Sequence, residues 1–450
     1  MTKARLDGLY LMLLGSVVFI LLGAVLERTA TSPLVDFRVV YYPARCLLQH
    51  CDPYNEDAVL RIYRAEGGER ASDTEKVRQI VTRHIYFPST FTFSTLFAML
   101  PWGPAAVLWM TFTVGSMIFA SFLIWSLGAT DAPVLAGVMI GFFLANSEVM
   151  IITGNAAGIV TSLCAVAAWC FYRERFVWSG ILCLAVSLAI KPQDAGLVWL
   201  YFLLAGGVYR KRALQTLGAT IAVSLPGVLW VWHTAPNWMQ ERHANVLAFS
   251  VHGGISDPGP TSAGAHGLDM MICLQTAISV FWDDPHIYNP VTYLICGPLL
   301  LAFVVFTLRF RPSAKSVWLG LAAIAALTML PVYHRQLDAK LLLLTVPACA
   351  MLWAEGGKIG KLALLVNTAG FVLTGDVAWA IILGLIESLH LPTTKLWVQI
   401  LTEVQIFPAP LILLVMAIFY LWAYVRCLTG ESKIMVLGDS KEAPAPGQPA

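Results

Sequence analysis

Long apolar runs separated by short polar stretches recur from Leu9 to Arg426. The runs fall near 9–26, 104–126, 132–152, 155–172, 176–190, 194–209, 213–233, 291–308, 316–332, 338–353, 361–376 and 408–426. At roughly 20 residues per crossing they predict an all-α polytopic membrane protein with about twelve transmembrane helices. Several runs are shorter than that, and short pieces read as broken helices facing a cavity. Stretches 85–101 and 377–391 are also apolar and read either as spans or as interfacial pieces. One transmembrane domain is expected over residues 1–428, with a first outer loop (27–103) carrying interfacial helices and a large outer loop (234–290). The end of the chain, 429–450, closing on "KEAPAPGQPA", reads as a disordered cytoplasmic tail.

Basic clusters set the orientation. "RER" at 173–175, "RKR" at 210–212, "RFR" at 309–311 and Lys358/Lys361 occupy alternate connections, which the positive-inside rule places in the cytoplasm. The opposite, outer face then collects the 27–84 loop, "GN" at 154–155, "KPQD" at 191–194, the 234–290 loop and "YHRQLD" at 333–338, together with all nine histidines. That parity holds if 85–101 stays on the outer side as a re-entrant or interfacial piece. Lys3 and Arg5 before Leu9–Leu26 fit an uncleaved first helix better than a signal peptide, since many spans follow.

Composition narrows the classes further. Only 12% of the residues are charged and the net charge is +2, which leaves no basic patch for nucleic acid. A soluble domain of ordinary size is absent. Seven of the nine cysteines lie in or beside apolar segments as small core residues, whereas Cys46 and Cys51 flank "LLQH" in the first outer loop and are candidates for a disulfide.

Charge within such a chain needs a reason, because one charge at mid-bilayer costs at least ~2.5–3.5 kcal/mol. Read as a helix, 36–49 carries Phe37, Val40, Tyr41, Ala44 and Leu48 on one stripe and Arg38, Tyr42, Arg45 and Gln49 on the other, the pattern of a helix lying along a membrane surface, with a kink at Pro43. Asp36 at its start reads either as an N-cap or as a general base taking a proton from a sugar hydroxyl. Lys191 in "LAIKPQDA" either snorkels to the surface or pairs with an anionic phosphate at the mouth of a cavity. In "PVYHRQLDAK", Arg335 and Asp338 are spaced for an i,i+3 ion pair at a helix start; alternatively Arg335 and His334 donate to a substrate and Asp338 orients them.

The histidines of the large loop, His243, His252, His266 and His286, show no HExxH or other metal spacing, so no metal is expected. Neither a Walker A loop nor a nucleotide-binding glycine fingerprint occurs, and no cofactor is implied. Residues 66–84 read as a solvated surface helix after a glycine hinge, and 234–290, with Trp238, Phe249, Phe281 and Trp282, as a loop half-buried over a cavity.

"VDFRVVYYPARCLLQHCDPY" resembles the stretch after the first span in glycosyltransferase family 87, the polyprenol-phosphate-mannose-dependent mannosyltransferases of the GT-C superfamily. In the same order, "YFPSTFTFSTLFAMLPWG" is similar to that family's Y-P-P segment, "ITGNAAGIVTSLCAVAAW" to its G-Q-x-N span, "AIKPQ" to its K-P-Q, and "LDAKLLLLTVPA" to its late Y-D-x-x-L-L-x-x-P. Ser89 departs from the second proline, Asn155 from the glutamine after glycine, and His50 from the glycine before "CDPY".

The resemblance implies a GT-C-type bundle in the plasma membrane that moves a hexose, commonly mannose, from a polyprenyl-phosphate sugar to a glycolipid or glycan hydroxyl on the outer face, with inversion. Asp36 maps onto the superfamily's base. Lys191, Arg335, His334, Arg38 and Arg45 become candidates for the donor phosphate, and Tyr41, Tyr42, Asn155, Gln193, Gln336, Asp338 and His266 for other substrate contacts. A transporter or flippase of a lipid-linked saccharide is the alternative; such proteins often show paired internal halves, whereas here the polar motifs lie on one side.

Overall fold

The computed structural model describes residues 2–71, 73–260, 270–377 and 408–439. Its helices are, in chain order, α1 (Lys3–Thr29), α2 (Val35–Leu48), α3 (Glu56–Ala65), α4 (Glu75–Thr82), α5 (Phe91–Ala98), α6 (Trp102–Gly128), α7 (Pro133–Leu144), α8 (Val149–Thr153), α9 (Ala157–Arg173) and α10 (Val177–Ile190). They continue as α11 (Pro192–Leu204), α12 (Gly207–Thr234), α13 (Trp238–Ser250), α14 (Leu274–Ser279), α15 (Pro285–Arg309), α16 (Ala314–Thr328), α17 (Val346–Glu355), α18 (Gly357–Leu373) and α19 (Pro408–Asp439). A 3₁₀ segment, Gln336–Thr345, leads into α17. Among the described residues the only β pairing is an isolated antiparallel bridge between Met271 and Arg335.

The chain is an all-α, multi-pass membrane protein. Seven stretches are long and apolar enough to cross a bilayer: α1, α6, Pro133–Thr153, α12, α15, Gln336–Glu355 and α19 as far as Gly430. The other apolar windows of the sequence hold shorter helices, among them α9, α10 and α16. At eight residues, α5 is far too short to span. The 377–391 window lies outside the described residues beyond Val377, and helix α19 runs on to Asp439 where a tail from 429 was expected.

Helix α16 is buried from Ser316 to Thr328 and the 3₁₀ segment over its whole length, which places both at the centre of the bundle. Small residues bring the outer helices close. A Cβ at Gly15 of α1 would lie 2.2 Å from the Gly141 carbonyl oxygen of α7, and one at Gly137 would lie 2.1 Å from that of Gly8. Only glycine allows these two backbones to meet.

The long connection after α1 forms a second core. Phe37 stacks on Trp109 with ring centroids 4.7 Å apart, and Tyr42 stacks on Trp102 at 5.8 Å. Helix α2 is therefore not a surface helix with one wet face, since Arg38, Tyr42 and eight other residues of it are buried. Nor does Pro43 end it. Proline at 43 cannot donate to the Val39 carbonyl, and that oxygen lies 3.1 Å from Nδ1 of His84. Burial pushes the His84 pKa down to about 3, so the ring is neutral and its Nδ1–H serves as donor. In the charged 66–84 stretch only Glu75–Thr82 is helical, and the segment before it folds back so that Asp73 pairs with Arg38. Cys46 and Cys51 form a disulfide with Cα atoms 5.0 Å apart, and the other seven cysteines are free thiols.

Candidate functional site

Polar residues from distant parts of the chain meet around a cavity of about 390 Å³, a size usual for small-ligand sites. Its walls come from the start of α2 (Asp36, Val39), α4, the segment 85–87, the turn before α9 (Asn155), the α10–α11 junction (Lys191, Gln193), α13, residues 255–256 and the 332–338 connection (Arg335, Asp338).

Local structure fixes the Asp36 carboxylate. Leu34 sits in the left-handed region (φ 55°) and donates its N–H to the Ile152 carbonyl at 2.7 Å, which fastens the start of α2 to the end of α8. Gly154 follows with φ +66°, and a Cβ there would press on Leu34 and Phe37 at 3.1 Å. The chain then presents Asn155. Its Oδ1 accepts the Ala157 N–H at 2.8 Å, so its amide group faces Asp36 and donates to Oδ2 at 2.8 Å. Leu34, not Asp36, is the N-cap residue of α2, and the cap reading of Asp36 gives way to a carboxylate at the cavity wall held by Asn155.

Lys191 and Asp338 of the same lining belong to a buried charge cluster. Lys191 occupies the break between α10 and α11, where Pro192 prevents a continuous helix. Its ammonium lies 2.5 Å from Asp338 Oδ1 and 3.3 Å from Asp194 Oδ2. The other oxygen of Asp338 accepts the Arg335 backbone N–H at 2.9 Å. His334 completes the group: Nε2 is 3.3 Å from Asp194 Oδ1 and Nδ1 is 3.0 Å from the Val332 carbonyl oxygen. Both ring nitrogens thus face oxygen atoms, which favours the imidazolium. With His334 protonated, two cations balance two carboxylates.

Burial by itself would depress the His334 pKa, but the hydrogen bond to Asp194 and the charges of Asp338 and Asp194 outweigh it and raise the value above 6.5. A raised histidine stabilises the fold fully below its unfolded value and loses that contribution as pH climbs through the folded value. Thermal melting in detergent should therefore fall from pH 6.5 upward, and His334→Gln should remove that part of the slope. Parallel pH profiles for the two proteins would rule out the charged pair.

Asp194, His334 and Asp338 also bring ligand-type atoms within 4.8 Å of one another. Linear spacing could not reveal this trio, whose members come from segments far apart in sequence. The Lys191 ammonium already bridges its two carboxylates, so a divalent ion would have to displace a resident cation.

Several expected contacts lie elsewhere. Arg38 is buried against Asp73 at 3.2 Å and Tyr63 at 3.1 Å, and Arg45 is held by Glu66 at 2.6 Å and the Ala98 carbonyl at 3.0 Å. Both acids come from the chain that folds back after α3, so these arginines clamp that connection instead of lining the cavity. Tyr41 donates to the Leu100 carbonyl at 2.9 Å, and Tyr42 packs on Trp102 and Tyr63. Gln336 donates to Gly375 and Asp376, behind the cavity wall. His334 is fully buried behind Asp194. His266 lies outside the described residues.

Sequence reading missed other lining residues: Lys76, Tyr86, Arg242, Ser256 and Tyr333. Tyr86 was within a quoted motif and lines the same cavity as Lys191, Asp36, Tyr333 and Asp338; burial, countered by Lys191, raises its pKa, so the phenol stays protonated. The backbone around it is fixed. Tyr54 donates to the Tyr86 carbonyl at 2.8 Å, and Ser89 donates to the Ala189 carbonyl at 2.6 Å, a bond that a second proline could not make. Arg335 donates from Nη2 to the Ile255 carbonyl at 2.8 Å and from Nε to Tyr333. No protein family, curated protein or solved structure matches the chain.

Proposed function

We propose that the chain is an integral membrane glycosyltransferase of the GT-C type, which moves a hexose from a polyprenyl-phosphate donor to an acceptor hydroxyl on the outer face. One observation carries the reading: the Asp36 carboxylate, aligned by Asn155, faces the same cavity as Arg335 and the Lys191 cluster. An oriented carboxylate opposite cations is what inverting transfer from a phosphate requires. The acceptor oxygen bonds to the anomeric carbon as its proton passes to Asp36, and the bond from that carbon to the phosphate oxygen breaks on the other side. Polyprenyl phosphate leaves toward Arg335. Lys191, held by two carboxylates, acts through Asp338 and Asp194 and keeps them from repelling the departing anion. Mannose is the sugar that the family resemblance implies.

The Cys46–Cys51 disulfide supports an outer location, because such bonds persist in oxidising compartments. In intact cells, a membrane-impermeant maleimide should label Cys51, the more exposed of the two, only after reduction by an impermeant reductant. Labelling without reduction, or none after it, would count against an outer site. Closing so short a loop contributes about 2 kcal/mol in the chain-entropy view, so the Cys46→Ser/Cys51→Ser protein should melt earlier.

The reading as a whole is tested with purified protein in lipid vesicles, a radiolabelled polyprenyl-phosphate hexose and a lipid extract as acceptor source. Transfer yields a new glycosylated product and one equivalent of polyprenyl phosphate. Movement of intact donor across the vesicle without cleavage would replace the transferase by a transporter.

A further inference from the structure

The cavity holds a cation that the transfer reaction described above does not use. Arg242, half-buried on α13, lines the cavity. Its guanidinium carbon lies 3.9 Å over the Phe87 ring centroid, and its Nε donates to the Ile85 carbonyl at 2.8 Å. Among the described residues no carboxylate pairs with it. Helix α13 is itself pinned, since Asn245 donates to the Tyr54 carbonyl at 3.0 Å and to the His84 carbonyl at 3.1 Å. Burial without a counter-charge lowers the Arg242 pKa from its ordinary value, and yet arginine stays protonated.

A rigidly held guanidinium with its terminal N–H fork unmatched by protein carboxylate is a receptor for a planar or tetrahedral oxyanion. We infer that Arg242, with Lys76 of α4 lining the same cavity, forms a phosphate-binding subsite that recognises a lipid-linked phosphate. The phosphate belongs either to the polyprenyl donor or to a phospholipid acceptor, and the inference rests on the transferase reading for those two sources alone.

Binding can be measured without turnover, so failure of catalysis leaves the test intact. Full-length protein in phosphatidylcholine nanodiscs is titrated with a polyprenyl phosphate, with phosphatidylinositol and with the uncharged polyprenol, for wild type, Arg242→Gln, Arg242→Met and Arg242→Lys. Only variants that melt like wild type are compared; Gln and Met serve as alternates. Loss of charge should weaken one phosphate lipid at least tenfold, leave polyprenol unchanged, and be largely rescued by lysine. The lipid affected identifies the source. Equal binding by wild type and the neutral variants, an equal loss for polyprenol, or wild type that binds neither phosphate lipid would overturn the subsite.

Discussion

Asp36→Asn should lower the rate of hexose transfer by about 10²–10⁴, the usual contribution of a positioned general base, while donor affinity changes only a few-fold. Asparagine has nearly the same shape and can still accept from the Asn155 amide, so the Leu34–Ile152 anchor and the start of α2 should survive. What it lacks is a basic oxygen to receive the acceptor's proton. Single-turnover transfer with saturating donor, beside a melting curve, separates the two effects. A folded Asp36→Asn protein that transfers within tenfold of wild type would remove this carboxylate from the chemistry.

Lys191→Met should cost roughly 3–5 kcal/mol of stability, because removing one partner strands buried carboxylates without their counter-charge. The side chains of Asp194 and Asp338 are only 0% and 5% exposed, so water from the cavity would compensate the lost ammonium only in part. Asp338→Asn in the Lys191→Met background should recover part of the loss, since the remaining Asp194 and His334 balance each other. Denaturant or thermal unfolding of the single and double variants in one detergent gives the coupling directly. A Lys191→Met protein as stable as wild type would mean that the charges are hydrated and the cluster is not a structural unit.

Both experiments concern residues that the sequence had already marked, and the reason is physical. Charges in an apolar chain are costly, so "VDFR", "GN", "KPQ" and "YHRQLD" stood out, and six candidate residues in them (Asp36, Asn155, Lys191, Gln193, Arg335 and Asp338) line one cavity. Apolar run length likewise marked the seven stretches long enough to span. Partners were harder to read. Arg38 and Arg45 fell on the polar stripe of a helical wheel, but nothing local shows that Asp73 and Glu66 fold back to claim them. Asp194 was quoted within "KPQD" without a role, because its links to Lys191 and His334 arise from the proline break and from packing against a distant connection. Arg242 was hidden among the ordinary charges of "QERH"; only the Phe87 ring and the absence of a carboxylate partner among the described residues set it apart. The α1–α7 contact did leave a trace, since "GVMIG" at 137–141 carries two glycines one helical turn apart.

That contact bears on how the protein is made. Helix α1 emerges from the ribosome well before α7: the glycines it must meet follow roughly 130 residues later, on the order of ten seconds at ordinary elongation speeds. For that interval its groove faces lipid or the insertion machinery with no mate, long before the Asp36 wall can be completed by Asn155. Inherited changes at Gly15 or Gly141 should thus surface as failed biogenesis and low abundance, not as a sluggish enzyme.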